Sequence, residues 1–321
     1  MSTRSAPGVA TLRALIARAT LAPSPHNIQP WRWTLHADHA ELEIDGPAAD
    51  LLARGDPDAR EAVISCGAAL LTLRVAAAEA LFDAQVDLLP DPHRPGLLAC
   101  VTLVPGVVDA AFSVLDAVVP LRRTAWGAFD GHPLPTGLPQ RLRVEALAED
   151  VRLIEVPALL RDQVASVLRD ADLARLLGEH RTGAAGQHAA DLDAQLLLDA
   201  PYVAVLGTLG DRPLDWLVAG QGLQRVLLVA AADGVLGGFL NAPCQIGPER
   251  EHLRLLMPEV PWPQAVLRLG FPTQRPAASA RRPVDEVVVV QDGPVSGRLR
   301  PDRPDDTPLD AGMDFSEDTL G

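Results

Sequence analysis

Five prolines fall between residues 105 and 139, at positions 105, 120, 133, 135 and 139. Each removes a backbone donor and fixes φ, so neither a long helix nor a central strand can run through this stretch. On both sides of it the residue pattern follows the same order of helix, strand, helix, strand. The repeated order suggests a duplicated unit. It divides the chain into a first half, 1–104, a connecting segment, 105–139, and a second half, 140–290, with a tail beyond. Mixed helix and strand with no long run of one type points to an α/β or α+β fold.

In the first half, residues 9–20 have the spacing of an amphipathic helix. A short hairpin is expected from Trp31 to His36 and from Glu41 to Ile44. Asp56-Pro57-Asp58 reads as a cap, a first-turn proline and an early acid. The helix it opens is expected to run to about Phe82, with Val63, Ile64, Gly67, Leu70, Leu71 and Ala78 on its core face. Leu97 to Val104 reads as a buried strand. In the second half, helices are expected over 138–148 and 157–177, and strands over Val151–Val156, Tyr202–Leu209 and Ala265–Gly270. Gly178 to Gly186 reads as a small-residue loop. A helix opens at Asp211–Pro213 and stops at Gly234. Gly220 and Gly222 inside it each cost about 1 kcal/mol against alanine, so a close approach to that face is expected. Val287–Val290 reads as an arm or edge strand. Residues 291–321 carry eight acids against three arginines, and they read as a disordered, solvating tail.

Charge and composition exclude several function classes. The net charge is −14, so a nucleic-acid partner and an anionic membrane surface are both disfavoured. All 28 basic residues are arginine. A chain without lysine has no P-loop lysine and no Schiff-base lysine. The cysteines at 66, 100 and 244 are too scattered for a zinc ribbon or a disulfide scaffold, and Cys66 reads as a small core residue. With arginines at 4, 13 and 18 and no apolar run of about 18 residues, neither a signal core nor a membrane helix is expected. The reading is a reduced, cytoplasmic protein.

Motifs for nucleophilic and metal chemistry are absent, and His180 and His188 read as solvated loop residues. Two segments remain. Pro23-Ser24-Pro25-His26-Asn27-Ile28-Gln29-Pro30-Trp31 sets a hydroxyl, two amides and an indole on a proline-stiffened loop. Amides donate and accept together, which suits the mixed edge of a heterocycle; the same groups could equally cap neighbouring elements. The second feature is arginine pairs, Arg122-Arg123 before Thr124 and Arg281-Arg282 before Pro283. A guanidinium is well shaped for a phosphate monoester, although either pair taken alone reads more readily as a surface salt-bridging pair.

Together these residues resemble a family. Ala-Pro-Ser-x-x-Asn-x-Gln-Pro-Trp is similar to the flavin loop of the nitroreductase superfamily, and Arg122-Arg123-Thr124 resembles its Arg-Arg-Ser-x-Arg segment. With Asp-Pro-Asp-x-Arg, Ile-Ser-Cys-Gly-Ala-Ala-Leu at 64–70 and the late Arg-Arg-Pro, the likeness is greatest to the Acg-type nitroreductase-like proteins, from about residue 9 to 290. The resemblance implies an α+β sandwich, two fused half-units forming a pseudo-dimer in one chain, and one FMN between them. It implies phosphate and ribityl contacts from Arg122, Arg123 and Thr124, and ring contacts from Ser24, Asn27 and Gln29. Backbone amides at Gly237 and Gly238 would approach the ring, and Arg281 and Arg282 would meet the phosphate.

The flavin would carry the chemistry, with no catalytic side chain and no metal. The implied activity is an FMN-dependent NAD(P)H oxidoreductase acting on nitro or quinone-like acceptors, as a monomer or weak homodimer. The family's second basic residue is Trp126 here, which puts the nicotinamide donor in question. A flavin-sequestering protein with little turnover is the alternative.

Overall fold

The computed structural model describes residues 7–50, 56–106, 108, 110–178 and 184–291. Its helices are α1 (Val9–Ala19), α2 (Gly46–Asp50), α3 (Arg60–Glu79), α4 (Ala110–Ser113), α5 (Leu138–Leu147), α6 (Arg161–Gly178), α7 (Ala184–Leu198), α8 (Pro213–Ala232), α9 (Ala242–Gln245), α10 (Gly247–Leu256) and α11 (Val284–Val287). Its strands are β1 (Trp31–Leu35), β2 (Ala40–Ile44), β3 (Phe82–Leu88), β4 (Leu97–Pro105), β5 (Arg152–Glu155), β6 (Tyr202–Thr208), β7 (Leu236–Phe239), β8 (Trp262–Gly270) and β9 (Val288–Val290). The fold is α+β: one sheet has the order β3-β4-β2-β1-β9, the other β5-β6-β8-β7.

Each sheet comes from one half of the chain, with one exception. β9, from the end of the second half, runs parallel to β1 in the first half's sheet, with Trp33 opposite Val288 and Leu35 opposite Val290. The hairpin of β1 and β2 forms as expected, in the register Trp31 to Ile44.

At the centre, α3 packs on α8, and the two backbones touch. A Cβ on Gly67 would stand 2.1 Å from the Leu217 carbonyl oxygen, and one on Gly220 would stand 1.9 Å from that of Ile64. Those distances lie far inside van der Waals contact with backbone atoms, so only glycine is possible at either position. Gly222 is pressed likewise against the Val151 side chain, where a Cβ would lie 2.7 Å from Cγ2. This is the close approach that the helix glycines announce.

Four local expectations change. α3 is buried on all sides, not along one face, because α8 covers what an amphipathic pattern would leave open. It is long and apolar enough to cross a membrane, yet it lies in the interior. The helix also starts later than the Asp-Pro-Asp signal suggests. Ala59 is left-handed (φ 56°), and Asp56 caps from outside the helix, accepting from the Glu61 and Ala62 N–H groups at 2.9 and 3.1 Å.

α3 stops at Glu79, and Phe82 opens β3 instead. β3 alternates half-buried and exposed residues with acids outward, an edge pattern too polar to stand out in the sequence. Lastly, the described part of the expected 178–186 loop is helical: α6 ends at Gly178 and α7 begins at Ala184, with Gly186 and exposed His188 in it, while 179–183, His180 among them, lie outside the described residues. Of the proposed tail, only Gln291 is described, its N–H donating to the Leu35 carbonyl at 2.9 Å; 292–321 lie outside the described residues.

Candidate functional site

A cleft of about 1090 Å³, counting the open solvent at its mouth, lies where the two halves meet. The first half contributes the loop Pro23–His26 and one flank of α3, including Glu61 and Ser65. The second contributes Leu168, Asp172 and Arg175 of α6, Asp193 of α7, Phe239 at the end of β7, and Leu240 to Ala242 beyond it. Thr124 and Trp126 of the connecting segment complete it.

The loop is held in a demanding shape. His26, Asn27 and Gln29 all have positive φ, at 49°, 59° and 54°. Such left-handed non-glycine residues persist only where surrounding bonds over-determine them. Those bonds are present. Ser24 Oγ accepts from the Gln29 N–H at 2.9 Å. Asn27 Nδ2 donates to the Ala280 carbonyl at 2.8 Å. Gln29 is buried, with Oε1 accepting from the Arg282 N–H at 2.9 Å and Nε2 donating to the Asn27 carbonyl at 3.2 Å. The amides of Asn27 and Gln29 thus fasten the loop to the 280–282 strap. Ser24 lines the cleft; Asn27 and Gln29 shape the loop instead of facing the cavity.

The two arginine pairs meet at the base of this loop. Arg122 is 4% exposed and donates to the Leu21 carbonyl at 3.1 Å. Arg281 donates to the carbonyls of Thr20 and Leu21 and to Asn27 Oδ1, at 2.8, 3.1 and 3.2 Å. Arg123 donates back to the Arg122 carbonyl at 2.9 Å. Among the described residues none of the three pairs with a carboxylate, and Arg122 Nε is buried without a partner. Burial, then the charges of Arg281 and Arg123, push the Arg122 guanidinium down to about 9. Burial and Arg123 also lower Arg281.

Arg282 departs from this group. It forms an ion pair with buried Asp45 at 2.6 Å and lies 3.7 Å from Glu286, so it anchors the strap and is not a candidate for phosphate contact. Sequence pattern cannot separate adjacent arginines whose side chains diverge.

Gly237 and Gly238 are also corrected. Both lie within β7, and neither lines the cleft. Gly237 accepts from the Ala125 N–H at 2.8 Å. A Cβ on Gly238 would stand 2.6 Å from the Ala125 carbonyl and 2.8 Å from Arg268 Nε. Gly238 admits the connecting segment and Arg268, Gly237 admits the Leu227 and Leu269 side chains, and the cleft wall begins one residue later, at Phe239. Arg268 itself was not legible in the sequence. It donates to the carbonyls of Gly127 and Ala125 at 2.8 and 2.9 Å and stacks on Phe129. It thereby clamps both neighbours of Trp126, which stands 73% exposed at the rim.

Three acids of the cleft also escaped sequence reading. Glu61 is buried, with Oε2 accepting from Gln245 at 2.9 Å and Oε1 without a hydrogen bond, 3.9 Å from Arg60. Desolvation raises its pKa despite Arg60. Asp172 is pushed up to about 6 by burial and then by Asp193, which burial also raises. The only signal for Glu61 was a carboxyl opening an otherwise apolar helix. Cys66 is fully buried and its thiol is pushed up by desolvation, in keeping with a core residue.

No family model matches the chain. Among curated proteins it is 30% identical over 300 residues to “Putative NAD(P)H nitroreductase Rv3131” of Mycobacterium tuberculosis, an alignment covering 83% of this chain and 86% of the relative. It is 28% identical over 319 residues to the same organism's “Putative NAD(P)H nitroreductase acg”, covering 87% of this chain and 96% of that one. Among solved structures, a nitroreductase with bound FMN from Desulfitobacterium hafniense overlaps 55% of this chain and 98% of its own at 15% identity, with a TM-score of 0.42, too low to carry an argument.

Proposed function

Because the chain belongs to the nitroreductase superfamily, we propose that it binds one FMN in the cleft between its halves and works as an NAD(P)H oxidoreductase on nitro or quinone-like acceptors. The observation that carries this reading is the Arg122, Arg123 and Arg281 cluster. Among the described residues, three guanidinium groups held together with no carboxylate, one of them buried with an unpartnered Nε, form an electrostatic hole. Burying an uncompensated charge is costly, and a phosphate dianion would remove that cost. The residues therefore fit a phosphate monoester, and Thr124, two residues from Arg122, leads from the cluster into the cleft.

FMN would supply the hydride and electron transfer. The chain's own part is binding, orientation and control of water and protons. Arg122, Arg123 and Arg281 would hold the phosphate. The strained Pro23–His26 loop forms one fixed wall, and its hydrogen bonds to the strap keep that wall in place before any ligand arrives. Helices α6 and α7 cover the opposite side and limit water. Glu61, whose carboxyl burial raises above the usual range, lines the cleft from α3. The strand β9, returning from the second half to the first half's sheet, supports the reading of two fused half-units with one shared site.

A second reading, flavin sequestration with little turnover, is favoured by Trp126. Its indole stands at the rim where the resemblance places a basic residue, and it cannot pair with a cofactor phosphate.

Titrating apo-protein with FMN and with riboflavin, followed by flavin fluorescence quenching, tests the reading. FMN binds more tightly by a factor of at least about 10, the value of a single charge-assisted contact. The preference vanishes in Arg122→Ala/Arg281→Ala. Equal affinity for the two ligands in the unaltered protein rejects the phosphate site.

A further inference from the structure

The tip of the β1–β2 hairpin carries polar chemistry that the cleft does not use. The chain there reads His36-Ala37-Asp38-His39-Ala40-Glu41. The His36 N–H donates to the His39 carbonyl at 2.9 Å and closes the turn. The two imidazoles stack with centroids 4.3 Å apart and planes inclined by 6°. The side chains of His36, His39 and Glu41 are only 13%, 14% and 15% exposed, unusually low for a hairpin end. One donor atom from each lies within 4.8 Å of the others.

We propose that His36, His39 and Glu41 form a binding site for a divalent first-row transition metal, Zn²⁺ in the first instance. Four observations support it. His36 Nε2 is buried and makes no hydrogen bond, and an unpartnered imidazole nitrogen is a ready ligand. It lies 3.7 Å from Glu41 Oε2, close to the separation of about 3.4 Å between two donors each roughly 2.1 Å from a tetrahedral zinc. Asp38 lies 2.7 Å from His39 Nδ1. A carboxylate on one ring nitrogen fixes the tautomer and leaves the other lone pair for a metal, as in carboxylate–histidine–zinc triads. Finally, two imidazoles and one carboxylate make a borderline donor set that suits zinc over magnesium or calcium.

The competing partner is Arg94. It donates to both oxygens of Glu41, at 3.0 and 2.8 Å, and to Glu43 at 2.7 Å. This ion pair keeps Glu41 below the usual carboxylate range, through the hydrogen bond first. A carboxylate offers about four lone-pair sites, so Glu41 can retain Arg94 and still face His36. Arg94 should therefore weaken the site without abolishing it. Three protein donors leave a fourth position for water or for a group from another molecule. The site sits at the far end of β1 from the loop at 23–29, about 16 Å along a strand of five residues, so it does not depend on the flavin reading.

The test is calorimetric titration of the full, tag-free, metal-stripped protein with ZnCl₂ and with MgCl₂. One equivalent of Zn²⁺ should bind saturably, and Mg²⁺ should not. His36→Ala/His39→Ala should weaken Zn²⁺ binding by more than about 100-fold, beyond what outer-sphere changes produce. Arg94→Gln, which leaves all three ligands in place, should tighten it. No saturable equivalent in the unaltered protein, or equal binding by the double histidine variant, overturns the site. Unchanged affinity in Arg94→Gln removes Glu41 from the ligand set and overturns it as stated.

Discussion

Arg122 and Arg281, 159 positions apart in the chain, donate to the same backbone oxygen, that of Leu21, at 3.1 Å each. Two like charges converging on one neutral acceptor are unfavourable unless an anion joins them. The arrangement ties the connecting segment, the N-terminal loop and the C-terminal strap into one anion-ready point.

This point sets function against stability. Arg122→Met keeps an unbranched apolar stem and removes the buried charge. It should raise the melting temperature of the apo-protein while weakening FMN binding by about 10- to 150-fold, the range of one charge-assisted bond. Thermal melts with and without FMN check both. A variant less stable in the apo state would show that Arg122 is a structural donor to Leu21 before anything else.

The adjacent arginines should part company. Arg282→Ala removes the ion pair with Asp45, leaving a nearly fully buried carboxylate with only the partly exposed Arg32, at 3.1 Å. It should destabilise the fold by roughly 3 kcal/mol and leave the preference for FMN over riboflavin in place. Arg281→Ala should abolish that preference and, losing hydrogen bonds but no ion pair, destabilise the fold less. Denaturant melts and ligand titrations on the two variants separate them, and matching profiles would remove the distinction.

Asp172 should make stability fall as pH rises. Its folded-state pKa, about 6, lies above the ordinary 3.8, so the folded protein holds the extra proton between these values. Its ionisation therefore weakens the fold progressively from about pH 4 to pH 6. Asp172→Asn should stabilise the protein at pH 7 by up to about 3 kcal/mol and change little at pH 4. The check is melting temperature against pH, and a variant curve parallel to the parent's would refute the assignment.

The helix contact tolerates no side chain. Gly220→Ala places a methyl group inside the Ile64 carbonyl, and backbone on both sides leaves nothing to rotate away. A loss of more than about 4 kcal/mol, or insoluble protein, is expected. Gly247→Ala, with open space around it, is the matched control.

Trp126→Arg tests the sequestration reading. Anaerobic stopped-flow bleaching of bound flavin by NADPH should be slow in the parent and faster in the variant, with dithionite fast in both. Fast NADPH reduction of the parent would restore the plain enzyme.

What the sequence determined is local or periodic. The hairpin, the buried strands Leu97–Pro105 and Tyr202–Thr208, the stop at Gly234 and the close approach at Gly220 all follow from residue preferences that act within a few positions. The paired arginines and the stiff 23–31 loop were legible as chemistry for the same reason. Only the tertiary structure decided what each polar group meets. Arg281 turns toward Leu21 and Arg282 toward Asp45, though their backbones are neighbours. Gly238 serves packing because Arg268, thirty residues away, needs its space, and Gly237 does so for the Leu227 and Leu269 side chains. Glu61, Asp172 and Asp193 share a cleft because α3, α6 and α7 converge on it. A side chain's charge is written in the sequence, but its desolvation and its partners are set by segments far along the chain, and those two terms decide whether an ionisable group holds a fold together or stands ready for a ligand.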